Sequence, residues 1–251
     1  MIDLAGRRAV VSGASRGIGA ATARLLAHAG ADVVVGYRSR REEAEAVAAD
    51  VRAAGRRAAT CGADLTTPDG CDALVLAATD AFGGVDVVVV NHGIWPADEV
   101  PVAAMDNARW QRTVREDVDS VFWLSRAAAR ALGEGGRLVL VSSTAGQRGE
   151  ALHADYAAAK GAMISFVKSL AVELAPAGVT VNCVAPGWVD TEMTAGAMAG
   201  GGRERIAAAI PVGRVATAED VAGPIAFLCS PLARHVTGEV LNINGGSVLC
   251  G

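Results

Sequence analysis

This chain of 251 residues contains two tyrosines and two lysines, and one of each falls four positions apart, at Tyr156 and Lys160. Residues at that spacing share a helix face, so the phenol and the ammonium project into one space. A phenol with a pKa near 10 is a poor acid or base at neutral pH, and a neighbouring ammonium favours the phenolate, drawing the pKa toward the working range. Arginine supplies the other positive charge throughout, and its guanidinium would offer that charge in a different shape. Just upstream, Ser142-Ser143-Thr144-Ala145-Gly146 stands where a strand-like run ends. Hydroxyl, phenol and ammonium together suit proton exchange with an oxygen atom.

A second group of residues suits an anion. Ser12-Gly13-Ala14-Ser15-Arg16-Gly17-Ile18-Gly19-Ala20 follows the first strand-like run and opens the first helix-like run. Glycines there allow a tight turn and close backbone approach, and the free N–H groups of a helix start suit a pyrophosphate. Its place between first strand and first helix points to dinucleotide binding. The next strand ends Val35-Gly36-Tyr37-Arg38-Ser39-Arg40, with no acid to hold adenosine ribose hydroxyls. Arg38, helped by Arg16, is placed to clasp a 2'-phosphate, which favours NADPH/NADP+ over NADH/NAD+. The plainer alternative makes Arg38, Arg40 and Arg41 a solvated helix start.

Elements that could position these groups recur along the chain. Strand-like runs at 9–12, 32–36, 57–61, 85–90, 137–142, 180–184 and 240–243 alternate with helix-like stretches at 17–29, 41–54, 68–82, 107–132, 154–174 and 218–228. The run Val85-Asp86-Val87-Val88-Val89-Val90 does not alternate apolar with polar, as expected for a parallel strand covered on both faces. The expected fold is α/β: a doubly wound, Rossmann-type parallel sheet of about seven strands flanked by helices, in a single domain over 1–251. The Gly- and Met-rich piece 192–202 breaks the rhythm and reads as part of a mobile substrate loop or lid at about 188–211.

Composition narrows the function classes. Hydrophobic residues make up 51% and charged residues 20%, too apolar a mixture for a disordered chain. Lys plus Arg number 23 against 27 Asp plus Glu, with no long run of one sign, which argues against a nucleic-acid face. No stretch reaches the length of a membrane span and the start lacks an exported leader, so a soluble, cytoplasmic protein is expected. Five scattered cysteines and four scattered histidines suggest neither a disulfide framework nor a metal site.

These motifs together resemble the short-chain dehydrogenase/reductase family over essentially the whole chain, and among its members the 3-oxoacyl-[acyl-carrier-protein] reductases. The resemblance adds Asp64 and Leu65 as adenine contacts, Asn91 and Gly93 from Asn91-His92-Gly93, and Pro186, Gly187, Val189 and Thr191 beside the nicotinamide. It also prefers Ser143 to Ser142, because the family's serine commonly lies thirteen residues before the tyrosine. The implied catalytic set is Ser143, Tyr156 and Lys160, the last two also contacting the cofactor with Lys160 on the nicotinamide ribose, and Asp117 stands seven residues after Trp110 where the family usually has asparagine. That carboxylate is expected to offset part of the lysine's effect on Tyr156 and to slow or pH-shift proton transfer.

The activity implied is NADP(H)-dependent hydride transfer between nicotinamide and a ketone or secondary alcohol, as in a 3-oxoacyl-like carbonyl reductase. Alternatives are an NAD-dependent alcohol or sugar dehydrogenase and, in another class, a catalytically weakened cofactor-binding scaffold. Substrate contacts are expected from 94–102, 147–153 and 188–211, with Trp95, Trp188, Met193 and Met198 as an apolar wall and Arg148, Glu150 and His153 as polar contacts. The resemblance further implies a homotetramer.

Overall fold

The computed structural model describes residues 2–249, so Cys250 lies outside the described residues. The described strands form one parallel sheet: β1 (Arg8–Val11), β2 (Asp32–Tyr37), β3 (Ala58–Gly62), β4 (Val87–Val90), β5 (Arg137–Val141), β6 (Thr180–Pro186) and β7 (Val240–Ile243). Their order across the sheet is β3-β2-β1-β4-β5-β6-β7. The helices are α1 (Gly17–His28), α2 (Arg41–Ala53), α3 (Pro68–Phe82), α4 (Asn107–Val114), α5 (Ser120–Ala131), α6 (Thr144–Arg148), α7 (Ala154–Leu174), α8 (Ala195–Met198), α9 (Gly202–Ala208) and α10 (Ala218–Cys229).

The continuous apolar runs divide between two cores because successive strand residues point to opposite faces. Val87 and Val89 of β4 join Val11, Val33, Val35, Leu26, Val47 and Ile225 on the face covered by α1, α2 and α10. Val88 and Val90 join Val10, Val34, Leu74, Leu124 and Val167 on the face covered by α3, α5 and α7. This is the reason a strand such as Val-Val-Val-Val needs no polar residue. The chain winds outward from β1 in one direction and from β4 in the other. The crevice at the carboxyl ends of these two strands is where open α/β sheets receive ligands.

The expected strands and helices are present with ends displaced by one or two residues, with one substantive difference. The helix expected over 107–132 is interrupted by a π turn at Arg115–Asp119, in which the N–H of Ser120 donates to the carbonyl of Arg115. Within that turn Glu116 lines the crevice and Asp117 is buried against Lys160; π turns of this kind gather at functional sites. The segment expected as a loop at 192–202 contains α8 and leads directly into α9. No helix among the described residues is long and apolar enough to cross a membrane.

Candidate active site

The glycine loop turns between β1 and α1 with Gly13 and Gly17 at φ +61° and +53°. A Cβ on Gly19 would run into the Gly13 carbonyl and the Asn91 amide, so only glycine allows α1 to approach this closely. Asn91 clamps the loop from the end of β4, its amide donating to the carbonyls of Ser12 and Gly13, both at 3.1 Å. The first turn of α1 has neither a side-chain cap nor an acid, which leaves its N–H groups available to an anion. A dinucleotide therefore fits the cradle that these residues build.

The crevice is a cavity of about 330 Å³ running from this loop to Tyr156. Of the residues expected to contact cofactor, Gly13, Ser15, Arg16, Gly17, Ile18, Tyr37, Arg38, Ser39, Leu65, Asn91, Gly93, Pro186, Gly187, Val189 and Thr191 line it. Two do not. Gly19 lies beneath the loop as packing, and the Asp64 carboxylate is turned onto its own loop, where it accepts from the Thr66 N–H at 3.0 Å and hydroxyl at 2.8 Å. Ala63, Leu65 and Thr66 line the wall there instead.

At the far end, Ser143, Tyr156 and Lys160 converge. Asp155, at the start of α7, is fully buried against Arg109 at 3.1 Å and accepts from Thr113 at 2.8 Å, which fixes where Tyr156 enters the cavity. Ser142 and Ser143 separate cleanly: the Ser142 hydroxyl donates to the Lys160 carbonyl at 2.8 Å. The Ser143 oxygen accepts from the Ala145 N–H at 3.1 Å, which leaves its proton free to donate into the cavity. The Lys160 ammonium lies 5.6 Å from the Tyr156 ring centre and donates to the Val141 carbonyl at 3.3 Å.

Asp117 is fully buried behind Lys160. One carboxylate oxygen accepts from the Ile94 N–H at 2.8 Å. The other is 3.7 Å from the lysine nitrogen and has no hydrogen-bond partner. Gly93 makes this approach possible, since a Cβ there would sit 3.0 Å from the carboxylate and 3.1 Å from the ammonium. Burial pushes the Asp117 carboxyl above the usual carboxylate range, and Lys160 and the Ile94 N–H only partly reverse it. The expectation for Tyr156 needs correction here. Burial and the Asp117 charge raise its phenol above the ordinary value, with the Ser143 hydroxyl acting in the opposite sense, so without a ligand the lysine does not bring the phenol into the neutral range.

His92 stands between Asn91 and Gly93 with no role assigned to it by the sequence. Its Nε2 lies 2.9 Å from the Ser120 hydroxyl and its Nδ1 2.8 Å from that of Ser12. Ser120 spends its proton on the Glu116 carbonyl at 2.6 Å, so His92 donates through Nε2 and accepts at Nδ1. Burial, with the charges of Lys160 and Arg38, lowers its pKa to about 3. The ring is a neutral strut joining the glycine loop to the π turn.

The arginine corner and the substrate wall both depart from expectation. Arg38 donates to both Glu116 oxygens at 2.8 Å, and Glu192 pairs with Arg16 and, at 3.1 Å, with Arg40. Glu192 falls in the expected substrate loop but not as an arginine partner, and Glu116 was not among the expected site residues; it stands beside the conspicuous Asp117, but its partner is 78 positions away. Trp95 and Trp188 meet edge to face at 5.7 Å, and Met193 joins them. Met198 instead packs with Ile210 and Val215, and His153 is buried in a stack on Trp95 at 5.2 Å. Arg148 and Glu150 do line the cavity.

A family model described as enoyl-(acyl carrier protein) reductase matches residues 13–247. The chain belongs to the short-chain dehydrogenase/reductase family. It is 40% identical to 3-oxoacyl-[acyl-carrier-protein] reductase of Vibrio cholerae over 98% of both chains. It is 43% identical to cis-4-hydroxycyclohexanecarboxylate dehydrogenase of Sinomonas cyclohexanicum over 96% of both. The crystal structure of a short chain dehydrogenase from Burkholderia cenocepacia in complex with NADP superposes with a TM-score of 0.91 at 40% identity, covering 97% of this chain and 98% of that one. This short-chain dehydrogenase/reductase is thus an oxidoreductase that uses a nicotinamide cofactor.

Proposed function

We propose that the protein is an NADP(H)-dependent reductase of a ketone, 3-oxoacyl-like in character, running reversibly with the secondary alcohol. The observation that carries this reading is the convergence of Ser143, Tyr156 and Lys160 on the same cavity as the glycine loop. Gly13, Ser15, Arg16, Gly17 and Ile18 would hold the pyrophosphate, Tyr37, Arg38 and Ser39 the adenosine ribose and its phosphate, and Leu65 the adenine. Asn91, Gly93 and the stretch Pro186, Gly187, Val189 and Thr191 would border the nicotinamide, which supplies hydride chemistry when bound.

In the reducing direction, Ser143 and Tyr156 hydrogen-bond the substrate carbonyl oxygen. Tyr156 delivers its proton there as negative charge develops, and Lys160 stabilises the phenolate left behind. Asp117 partly cancels the ammonium, so proton transfer is slower at neutral pH than with an amide in its place. The 188–211 segment, through Trp188 and Met193, forms the substrate loop.

A second reading, an alcohol dehydrogenase using NAD+, draws support from the carboxylate already seated on Arg38 and from the cyclohexanecarboxylate dehydrogenase relative. Reduction of a 3-oxoacyl thioester, followed at 340 nm with NADPH and with NADH, tests the first reading. Turnover confined to NAD+ and an alcohol would replace it with the second. A homotetramer is proposed through the exposed apolar side chains of α4, α5 and α7, namely Trp110, Phe122 and Val172; light scattering reporting a monomer would remove that proposal.

A further inference from the structure

We infer that Glu116, supplied by the π turn, sets the balance between the two nicotinamide dinucleotides by occupying Arg38 at the position a 2'-phosphate would take. The inference rests on the proposed reading of Arg38 as the phosphate-recognising residue.

Glu116 is held in place from several sides. Its backbone carbonyl accepts from Ser120, which His92 ties to Ser12 of the glycine loop. Its side chain is 21% exposed, against 56% for Glu192, the other acid at this corner. Glu192 sits on a surface segment after β6. Glu116 stands on a helix whose position is fixed by buried contacts on both sides of the turn.

A single guanidinium nitrogen of Arg38, Nη1, reaches both Glu116 oxygens. The remaining donors of Arg38 stay available to a phosphate, so Glu116 weakens recognition of that phosphate without abolishing it. The phosphate must share the guanidinium with a fixed carboxylate and bear its repulsion. For a doubly charged phosphate ~5 Å from one negative charge in near-aqueous surroundings, that repulsion is worth about tenfold in affinity. A dinucleotide with a free 2'-hydroxyl meets the reverse situation. It finds Arg38 already neutralised, and a carboxylate whose spare lone pairs suit a hydroxyl donor. Glu116 thereby does from the π turn what an acid at the end of β2 would otherwise do.

The test is the equilibrium dissociation constant of NADP+ and of NAD+, measured by titration calorimetry on the full chain without substrate. Glu116→Gln should tighten NADP+ about five- to tenfold and leave NAD+ unchanged or up to about threefold weaker. Glu116→Ala, read the same way, stands in if the glutamine variant does not fold. Arg38→Ala tests the underlying reading by weakening NADP+ alone. Loss of NADP+ affinity in Arg38→Ala with an unchanged NADP+/NAD+ ratio in both Glu116 variants overturns the inference and leaves the role of Arg38 standing. An Arg38→Ala protein that binds both dinucleotides as the wild type does overturns both.

Discussion

Asp86 and Asp117, at opposite ends of the sheet, are satisfied in opposite ways. At the amino ends of the strands, Arg8 grips Asp86 through Nε at 2.7 Å and Nη2 at 2.9 Å, and the Arg8 backbone N–H adds a third bond at 2.8 Å. Arg57 and Asp32 repeat the pattern across β2 and β3, with Nε and backbone N–H both at 2.8 Å. At the carboxyl ends, Asp117 keeps a buried oxygen without a partner and Lys160 stops 3.7 Å short of it. Asp86 and Asp32 are closed by paired arginines, while Asp117 and Lys160 retain hydrogen-bonding capacity beside the cavity. The carboxylates themselves differ most in how completely their hydrogen bonding is met.

The largest expected effect bears on the end that holds the cavity. Tyr156→Phe should lower kcat by about 100- to 10,000-fold, the usual worth of a positioned proton donor, while the dissociation constant of the cofactor stays within about twofold. Equal losses of binding and turnover would mean that the ring supports the crevice instead of exchanging a proton, and retained turnover would remove Tyr156 from the chemistry. Next comes the opposite end. Asp86→Ala should cost about 2 kcal/mol in urea unfolding, because a charge-assisted bidentate contact is lost and Arg8 is left without its acid. Dinucleotide affinity should not change. A coupled fall in affinity would erase the division of labour between the two ends.

Acidity separates the ends more finely. Burial pushes the Asp86 carboxyl up, but the Arg8 hydrogen bonds outweigh it and hold it below its usual value. The stability it contributes is therefore present above about pH 4 and lost as the pH falls further. Asp117 is raised, so its ionised form costs stability as the pH climbs above about 4. Asp117→Asn should then stabilise the protein at pH 7 by about 1 kcal/mol, a gain that fades by about pH 4. In alcohol oxidation, where the phenolate is the base, the same substitution should move the rising limb of the pH–rate profile to lower pH. An unchanged limb together with an unchanged unfolding midpoint would show that Asp117 is already satisfied in solution.

Much of this is legible in the sequence. The valine runs specified a sheet covered on both faces, and the glycine loop and the Tyr156–Lys160 spacing located the two halves of the cavity. Periodicity could not reveal the π turn, since one extra residue leaves the apolar pattern of 107–132 nearly intact, and that turn is what presents Glu116 and Asp117. The sign of the Tyr156 shift depends on burial, which spacing does not encode. The pairing of Arg38 with Glu116 joins residues from separate elements, so no local motif announces it. Met198 and His153 look like cavity residues by composition and are instead taken up by packing, Met198 against Ile210 and Val215 and His153 against Trp95.

Strand β4 lies near the middle of the sheet between β1 and β5, with all four valines buried and each face sealed by its own core. Its amides should surrender deuterium only when the entire molecule opens, whereas β3 and β7 at the margins can fray independently. Asn91, His92 and Gly93 continue directly from that strand, so the clamp on the glycine loop should outlast transient opening of either margin, and the capacity to capture a dinucleotide should be among the last properties lost on warming.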